Sequence, residues 1–468
     1  MISNTFIKET KELLREGRVR ISLIIVLLLL GVAVFISSQQ YQNINEQYET
    51  ARTNERTNWD NQGAKNPHSA AHYGTYAFKP KYPLSLLDQG VDKYTGTSVF
   101  LEAHARNETQ FSAAADQTGL ARFGDLTPDF ILLFIMPLLT ILLGYNSFTK
   151  EREMGTLTLL KSQGISSWKW MLGKWLALFT PIFLITTVLF VVAGILLSNL
   201  EDFGVFSWNA LLTMLLVYII FYAVFINIVL IISAKAKKSG ISLVVSLSVW
   251  ILACLVAPKI ATNIAQSKYP YPTSLEFAKA VEIDRSKGLD GHNPWSEASK
   301  KLERDVLEEY GVDSLNQLPF NFDGYRMQKG EEHEAAVYKK HYNILKDQYK
   351  KQTEVYQTLA VISPFLPTRF LSMSIANTDY GTHWNFNDTA ENYRVNTQAF
   401  LNNHFAENTK YGDWSWQADA SFWKELPPFE YKPPTLKQTL SLNQSNQALL
   451  AGWFVLSFAV LFFIVKIK

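Results

Sequence analysis

The residues able to do chemistry in this chain are its histidines, one acidic run and a single cysteine, and their spacing limits what that chemistry could be. His68 and His72 stand four apart behind Asn66-Pro67, a helix-start signal that would put both imidazoles on one face, in the spacing of a metal site. No third ligand is near in the sequence, so solvated or packed histidines are expected. Glu331-Glu332-His333-Glu334, followed by His341, suggests a zinc-protease helix, but H-E-x-x-H requires histidine at position 337 and the chain has Val337. The run is read instead as a solvated helix start, with its acids near the positive end of the dipole. Cys254 lies inside an apolar run, so neither an intrachain disulfide nor a Cys-His pair is available, and no Ser-His-Asp arrangement can be argued. The G-x-x-x-x-G-K-[ST] phosphate loop is also missing. The expectation is a protein that is not an enzyme, holds no cofactor or metal, and receives any ATP-derived energy through a partner.

The elements around these residues are set by hydropathy. The chain is 468 residues long, 48% hydrophobic and only 18% charged, which is more apolar than an ordinary soluble protein. Its net charge of +2 comes without a basic run or stacking motif, so nucleic acid is not an expected partner. Apolar stretches at 21–36, 130–145, 173–199, 208–233, 241–257 and 448–466 are long enough to span a bilayer. Their apolar cores contain no Asp, Glu, Lys, Arg or His, which disfavours transport driven by an ion gradient. Lys and Arg concentrate in 1–20, 144–174, 234–240 and the last three residues, whereas 37–129 is sparse in them, so both termini and the segment near Tyr145 are expected in the cytoplasm.

The fold class expected is an all-α polytopic membrane protein with six transmembrane helices. Residues 1–20 read as an amphipathic helix, with Ile2, Phe6, Leu13 and Leu14 opposite Lys8, Lys11, Glu12 and Arg15. The stretch 37–129 forms a first external loop, polar and without a decisive period. The stretch 258–446 forms a large, mainly helical external domain. There Asn293-Pro294 is expected to start a helix that Gly311 ends, and Tyr338, Tyr342, Leu345, Tyr349, Tyr356 and Leu359 recur at helical spacing up to Pro364, as a packed stripe does. Pro137 and Pro181 are expected to bend their spans, and Trp208, Trp250 and Trp453 to anchor span ends at the interface.

The segment 146–172 is short, charged and held between two spans, with Lys150, Glu151, Arg152, Glu153, Lys161 and Lys169. Gly155 interrupts its helical pattern, Leu157, Leu159 and Leu160 supply an apolar side, and Gly164 ends it. Ser166 or Ser167 then caps a helix entering the membrane, with Trp168, Trp170 and Trp175 at interface depth. The order Glu151, Glu153, Gly155, Thr156, Leu157, Leu160, Gly164, Gly173, Lys174 resembles the signature of type-2 ABC exporter permeases, departing at Gln163-Gly164, where that family often carries a proline. A second stretch, 363–394, with Ser363, Pro364, Leu371, Ser372, Met373, Thr378, Asp379, Phe386, Ala390, Tyr393 and Arg394, is similar to a branch of these permeases that carries a large domain of unknown function between spans five and six.

The resemblance implies that 1–20 is the elbow helix and that the Glu151–Gly164 region contains a coupling helix resting in a groove of a separate ATPase. The implied partners are two ATPase copies, a second permease chain identical or different, membrane lipid and an external protein. The implied location is a bacterial cytoplasmic membrane, and the implied task is export or the transmission of force outward. The rival expectations are a membrane-anchored extracytoplasmic binding or scaffold protein without an ATPase, and an enzyme acting at the outer face.

Overall fold

In the absence of competing water, an apolar run satisfies its backbone only as a helix, and the long apolar runs here do so. The computed structural model describes residues 1–116, 126–199 and 206–467 and is 74% helical, with six helices long and apolar enough to cross a membrane. Residues 117–125, including Arg122 of the charge distribution, and the terminal Lys468 lie outside the described residues.

Helix α1 (Ile2–Arg15) lies across the end of the bundle, and α2 (Gly17–Asp60) follows. After α3 (Pro67–Tyr73) come strands β1 (Thr75–Phe78), β2 (Ser98–Glu102) and β3 (Ala105–Arg106), an antiparallel sheet in that order. The second span, Pro128–Glu153, contains α4 (Met136–Gly144) and ends in α5 (Thr149–Glu153), and α6 (Thr156–Ser162) follows it. The third and fourth spans are α7 (Ser167–Ser198) and α8 (Trp208–Lys235). The fifth runs from α9 (Ser239–Trp250) into α10 (Ala257–Lys268). The extramembrane part then contains α11 (Ser274–Arg285), α12 (Glu297–Tyr310), α13 (Phe322–Leu359), α14 (Phe365–Ile375), α15 (Tyr380–Asn408) and α16 (Leu436–Leu442) before the last span, α17 (Gln444–Ile467).

Several expected boundaries shift, each for a physical reason. The helix that carries the first span does not end at 36: α2 is one helix of 44 residues, about 66 Å long and roughly twice the hydrocarbon thickness. No glycine or proline interrupts the polar stretch after Ser37 before Gly63, so the helix has no cause to end at the membrane surface. The first external loop therefore begins as helix and contains the small sheet, an addition to the expected all-helical pattern. Asn293 forms a turn, accepting from Trp295 N at 3.0 Å, and Ser296 is the actual cap of α12, while Gly311 ends it at φ +64 as expected.

Pro137 and Pro258 each follow a wide π-turn, Ile131–Ile135 and Ile251–Val256. A proline has no N–H for the carbonyl four residues before it, and the wide turns free further carbonyls. Neighbouring helices fill these valences: Tyr222 Oη donates to Leu132 O at 2.9 Å, Trp250 Nε1 to Phe134 O at 3.2 Å, and Ser363 Oγ to Ala253 O at 2.7 Å. Trp250 is thus tied to a neighbouring span rather than to the interface. Trp453 likewise donates to Ala360 O at 2.9 Å, whereas Trp208 remains half exposed and packs against Gly194. Pro181 sits inside a continuous α7.

The central helix is α8, which packs on α4, α7, α9, α14 and α17. At its start-side end the extramembrane chain reaches into the bundle. Leu84, Leu86 and Leu87 join the membrane core, and Ser372 of α14 bonds Tyr218 Oη at 2.8 Å. Fully buried Asp88 accepts from Arg369 at 2.8 Å, and Arg369 also meets Asp129 at 3.0 Å. Asp129 stands at the start of the second span, and the loops bring Asp88 and Arg369 beside it, with Ser372 linking Asp88 to Tyr218.

Candidate functional site

The charged segment folds as two short helices separated by glycine. Gly155 (φ +70) lies between α5 and α6, and Gly164 (φ +70) follows α6. A Cβ at either glycine would meet nothing within 4 Å, so the left-handed backbone, not crowding, explains both.

The root of the segment is Lys174. It is 1% exposed, and its Nζ lies 2.6 Å from Glu151 and 2.8 Å from Glu9, over the ring of Trp170. An ammonium withdrawn from water needs counter-charges, and α1 and α5 each bring one. Lys150 meets Glu12 at 3.1 Å, and Lys8 approaches Glu151 at 3.6 Å, so α1, α5 and α7 are laced together. Gly173 permits this approach, since a Cβ there would fall 2.5 Å from the Thr5 side chain. The amphipathic N-terminal helix therefore docks on α7 through both small and charged residues.

Glu153 accepts from Ser239 N at 2.8 Å and Oγ at 2.6 Å, fastening α5 to the first turn of α9. Arg152 donates to Ala236 O and, at 3.0 Å, to Ala234 O, closing the carbonyl end of α8. Thr156 Oγ1 reaches Glu151 O at 3.3 Å. Leu157 and Leu160 face a cavity of about 260 Å³, lined also by Phe148, Ile165, Trp170 and Val465. Leu159 does not share their side: it is 58% exposed, and Met154 is 65% exposed. All nine residues singled out in the sequence, Glu151 through Lys174, thus gather at one end of the bundle.

Two contributors, Glu9 and Met154, are not among the residues singled out in the sequence, and Arg152 is named there only as part of the charged segment. Glu9 could have been sought, because Lys174 at the edge of an apolar run requires an acid. Met154 and Arg152 gave no such signal. Trp175, expected at the interface, donates instead to Asn227 at 2.8 Å, and Asn227 donates to Ser457 at 2.9 Å, joining three spans.

The acidic run at 331–334 is not a solvated helix start. Helix α13 begins nine residues earlier, at Phe322, because Asn321 caps it. Glu331 and Glu334 are buried and bonded to His104 and to Arg394 or Arg285. Burial alone would raise the Glu331 carboxyl, but His104 and Arg394 outweigh it and hold it at about 2. His68 and His72 lie side by side, and His292, a residue 224 positions from His68, joins them.

Among known families, a model described as a domain of unknown function (DUF3526) matches residues 274–432, the helices from α11 through α15 and the chain after them. No curated protein matches the chain. The fold and this match together define a multi-pass helical membrane protein bearing a DUF3526 domain.

Proposed function

We propose that this chain is the membrane subunit of a type-2 ATP-binding cassette transporter, and that α5 and α6 form the docking point for a separate ATPase subunit. Two such chains, alike or different, would pair in the membrane over two ATPases. The observation that carries the reading is the placement of α6. It is a seven-residue helix between left-handed glycines, with Leu159 and the preceding Met154 turned outward and Leu157 and Leu160 seated over the bundle. A push on its outer side would be received by side chains rooted through Glu151 and Lys174 in α7 and through Glu153 in α9. The concentration of lysine and arginine at this end supports a cytoplasmic orientation for it, in which α1 would play the part of the elbow helix.

The continuous α2 and the α9–α10 helix pass from the spans into the extramembrane domain, so movement of the spans reaches that domain through rigid elements. Transmission of force outward is accordingly as well supported as export.

The test is purification of the tag-bearing chain from native membranes with scoring of any co-purified ATPase. Met154→Asp with Leu159→Asp changes only the outward side chains, and Leu442→Asp, at a 78% exposed leucine of the opposite end, is the control. An ATPase retained by the native and control chains and lost from the double variant is the expected result. Absence of an ATPase from all three, or its equal retention by the double variant, would overturn the reading in favour of an anchored scaffold.

A further inference from the structure

The extramembrane domain gathers four histidines from three separate parts of the chain. Asn66 caps α3 by accepting from His68 N at 2.8 Å, which puts His68 and His72 one turn apart on the same side. Their Nε2 atoms are 3.2 Å apart, and His292 Nε2 is 3.3 Å from His68 Nε2. The rim is open, since His72 and His292 are exposed. His104 stands behind: its ring centroid is 4.3 Å from that of His292 and 5.2 Å from that of His72.

The surroundings hold this arrangement in place. The loop bearing His292 sits directly on α13, where a Cβ on Gly330 would fall 2.6 Å from Gly291 N, and Arg326 Nε donates to Gly291 O at 3.0 Å. Ala103 N donates to Ala71 O at 3.1 Å, joining the β2–β3 turn to α3. In that turn His104 has φ +63, a left-handed conformation that costs a non-glycine residue about 1–2 kcal/mol. Glu331 Oε1 accepts from both the backbone N (2.8 Å) and Nδ1 (2.7 Å) of His104, and is itself held by Arg394 at 3.1 Å. A carboxylate fixing Nδ1–H is the arrangement that orients a metal-binding histidine by its other nitrogen. That other nitrogen, Nε2 of His104, is buried and has no hydrogen-bond partner.

We propose that His68, His72 and His292 bind a divalent first-row transition ion through Nε2, with His104 completing the coordination and Glu331 orienting it. Tetrahedral zinc with bonds of about 2.0–2.1 Å needs nitrogens roughly 3.3–3.4 Å apart, close to the two spacings observed. One nitrogen with two such neighbours cannot donate to both, whereas a cation accepts all their lone pairs. Imidazoles without thiolate select zinc, copper or nickel over calcium and magnesium. The ion would clasp α3 to the loop before α12, tying the two extramembrane segments together. This site is independent of the docking reading above.

The test is equilibrium metal binding to the full chain in detergent after tag removal, with Zn²⁺ and Cu²⁺ each competed against a chromophoric chelator. The variants are His72→Gln and His292→Gln, both at exposed positions, and Glu331→Gln. One ion per chain is expected, with affinity falling on the order of 100-fold or more in each histidine variant and about 10–100-fold in Glu331→Gln. Unchanged melting of the metal-free histidine variants separates ligand loss from misfolding. No stoichiometric binding of either ion, or binding that survives both histidine substitutions, would overturn the proposal.

Discussion

A lysine sealed from water is stable only while its carboxylates remain. Lys174 sits between Glu151 and Glu9 at 2.6 and 2.8 Å, and removing one member of such a buried set leaves the others uncompensated. Lys174→Met is therefore expected to destabilise the chain by about 3 kcal/mol, and Lys174→Met combined with Glu151→Gln to recover part of that loss. Denaturant unfolding in detergent measures both. Equal stability of Lys174→Met and the native chain would mean that the site is wet. Lys174 and Glu151 were legible as residue types in a recognisable order. That Lys174 needs an acid was also legible, but not that Glu9 supplies one, because this depends on α1 folding back across α7, which no local pattern encodes.

Among the elements, α6 has the sharpest sequence signature, because its two ends are backbone problems that only glycine solves cheaply. Alanine at Gly155 or Gly164 has space for its methyl group but must adopt φ near +70, at a cost of about 1–2 kcal/mol each. The expected outcome is faster hydrogen exchange of the α6 amides in each variant, with asparagine milder than alanine. Protection equal to that of the native chain would show that the turns relax without strain. Helical periods of apolar residues also gave the six spans and the stripe on α13. The far end of α2 was hidden, since a polar helix standing in water and a polar loop have the same composition.

At the scale of the molecule, the two extramembrane segments form one domain by interlocking. Trp59 Nε1 donates to Trp423 O at 2.9 Å, Trp423 Nε1 to Gly63 O at 2.6 Å, and Lys65 pairs with Ala418 across a β-bridge. At a second joint between the same segments, His383 of α15 lies near Thr109, Tyr380, Lys79 and Asp92. Burial first, and Lys79 second, push its imidazole down to about 4, against the weaker opposing pull of Asp92. Unfolded histidine titrates near 6.5, so between these values the unfolded chain binds the extra proton. Stability at this joint is complete above about pH 6.5 and is lost as pH falls toward 4, by about 2 kcal/mol at pH 5. Hydrogen exchange over residues 380–390 should accelerate between pH 7 and 5 after correction for the intrinsic rate, and His383→Gln should flatten that change. A native profile as flat as the variant's would place the acid sensitivity elsewhere.

The sequence by itself determined the six apolar helices, the charged segment between the second and third, and the glycines that bound α6, because hydropathy, helical period and left-handed backbone are local properties. Only the tertiary structure decided that Leu159 faces out while Leu157 faces in, that Glu331 and Glu334 are buried, and that His292 joins His68 and His72. Each of these depends on a contact between residues far apart in the chain. Such contacts are set by which helices pack and how closely their small residues let them approach, a matter of three-dimensional fit that residue spacing does not carry.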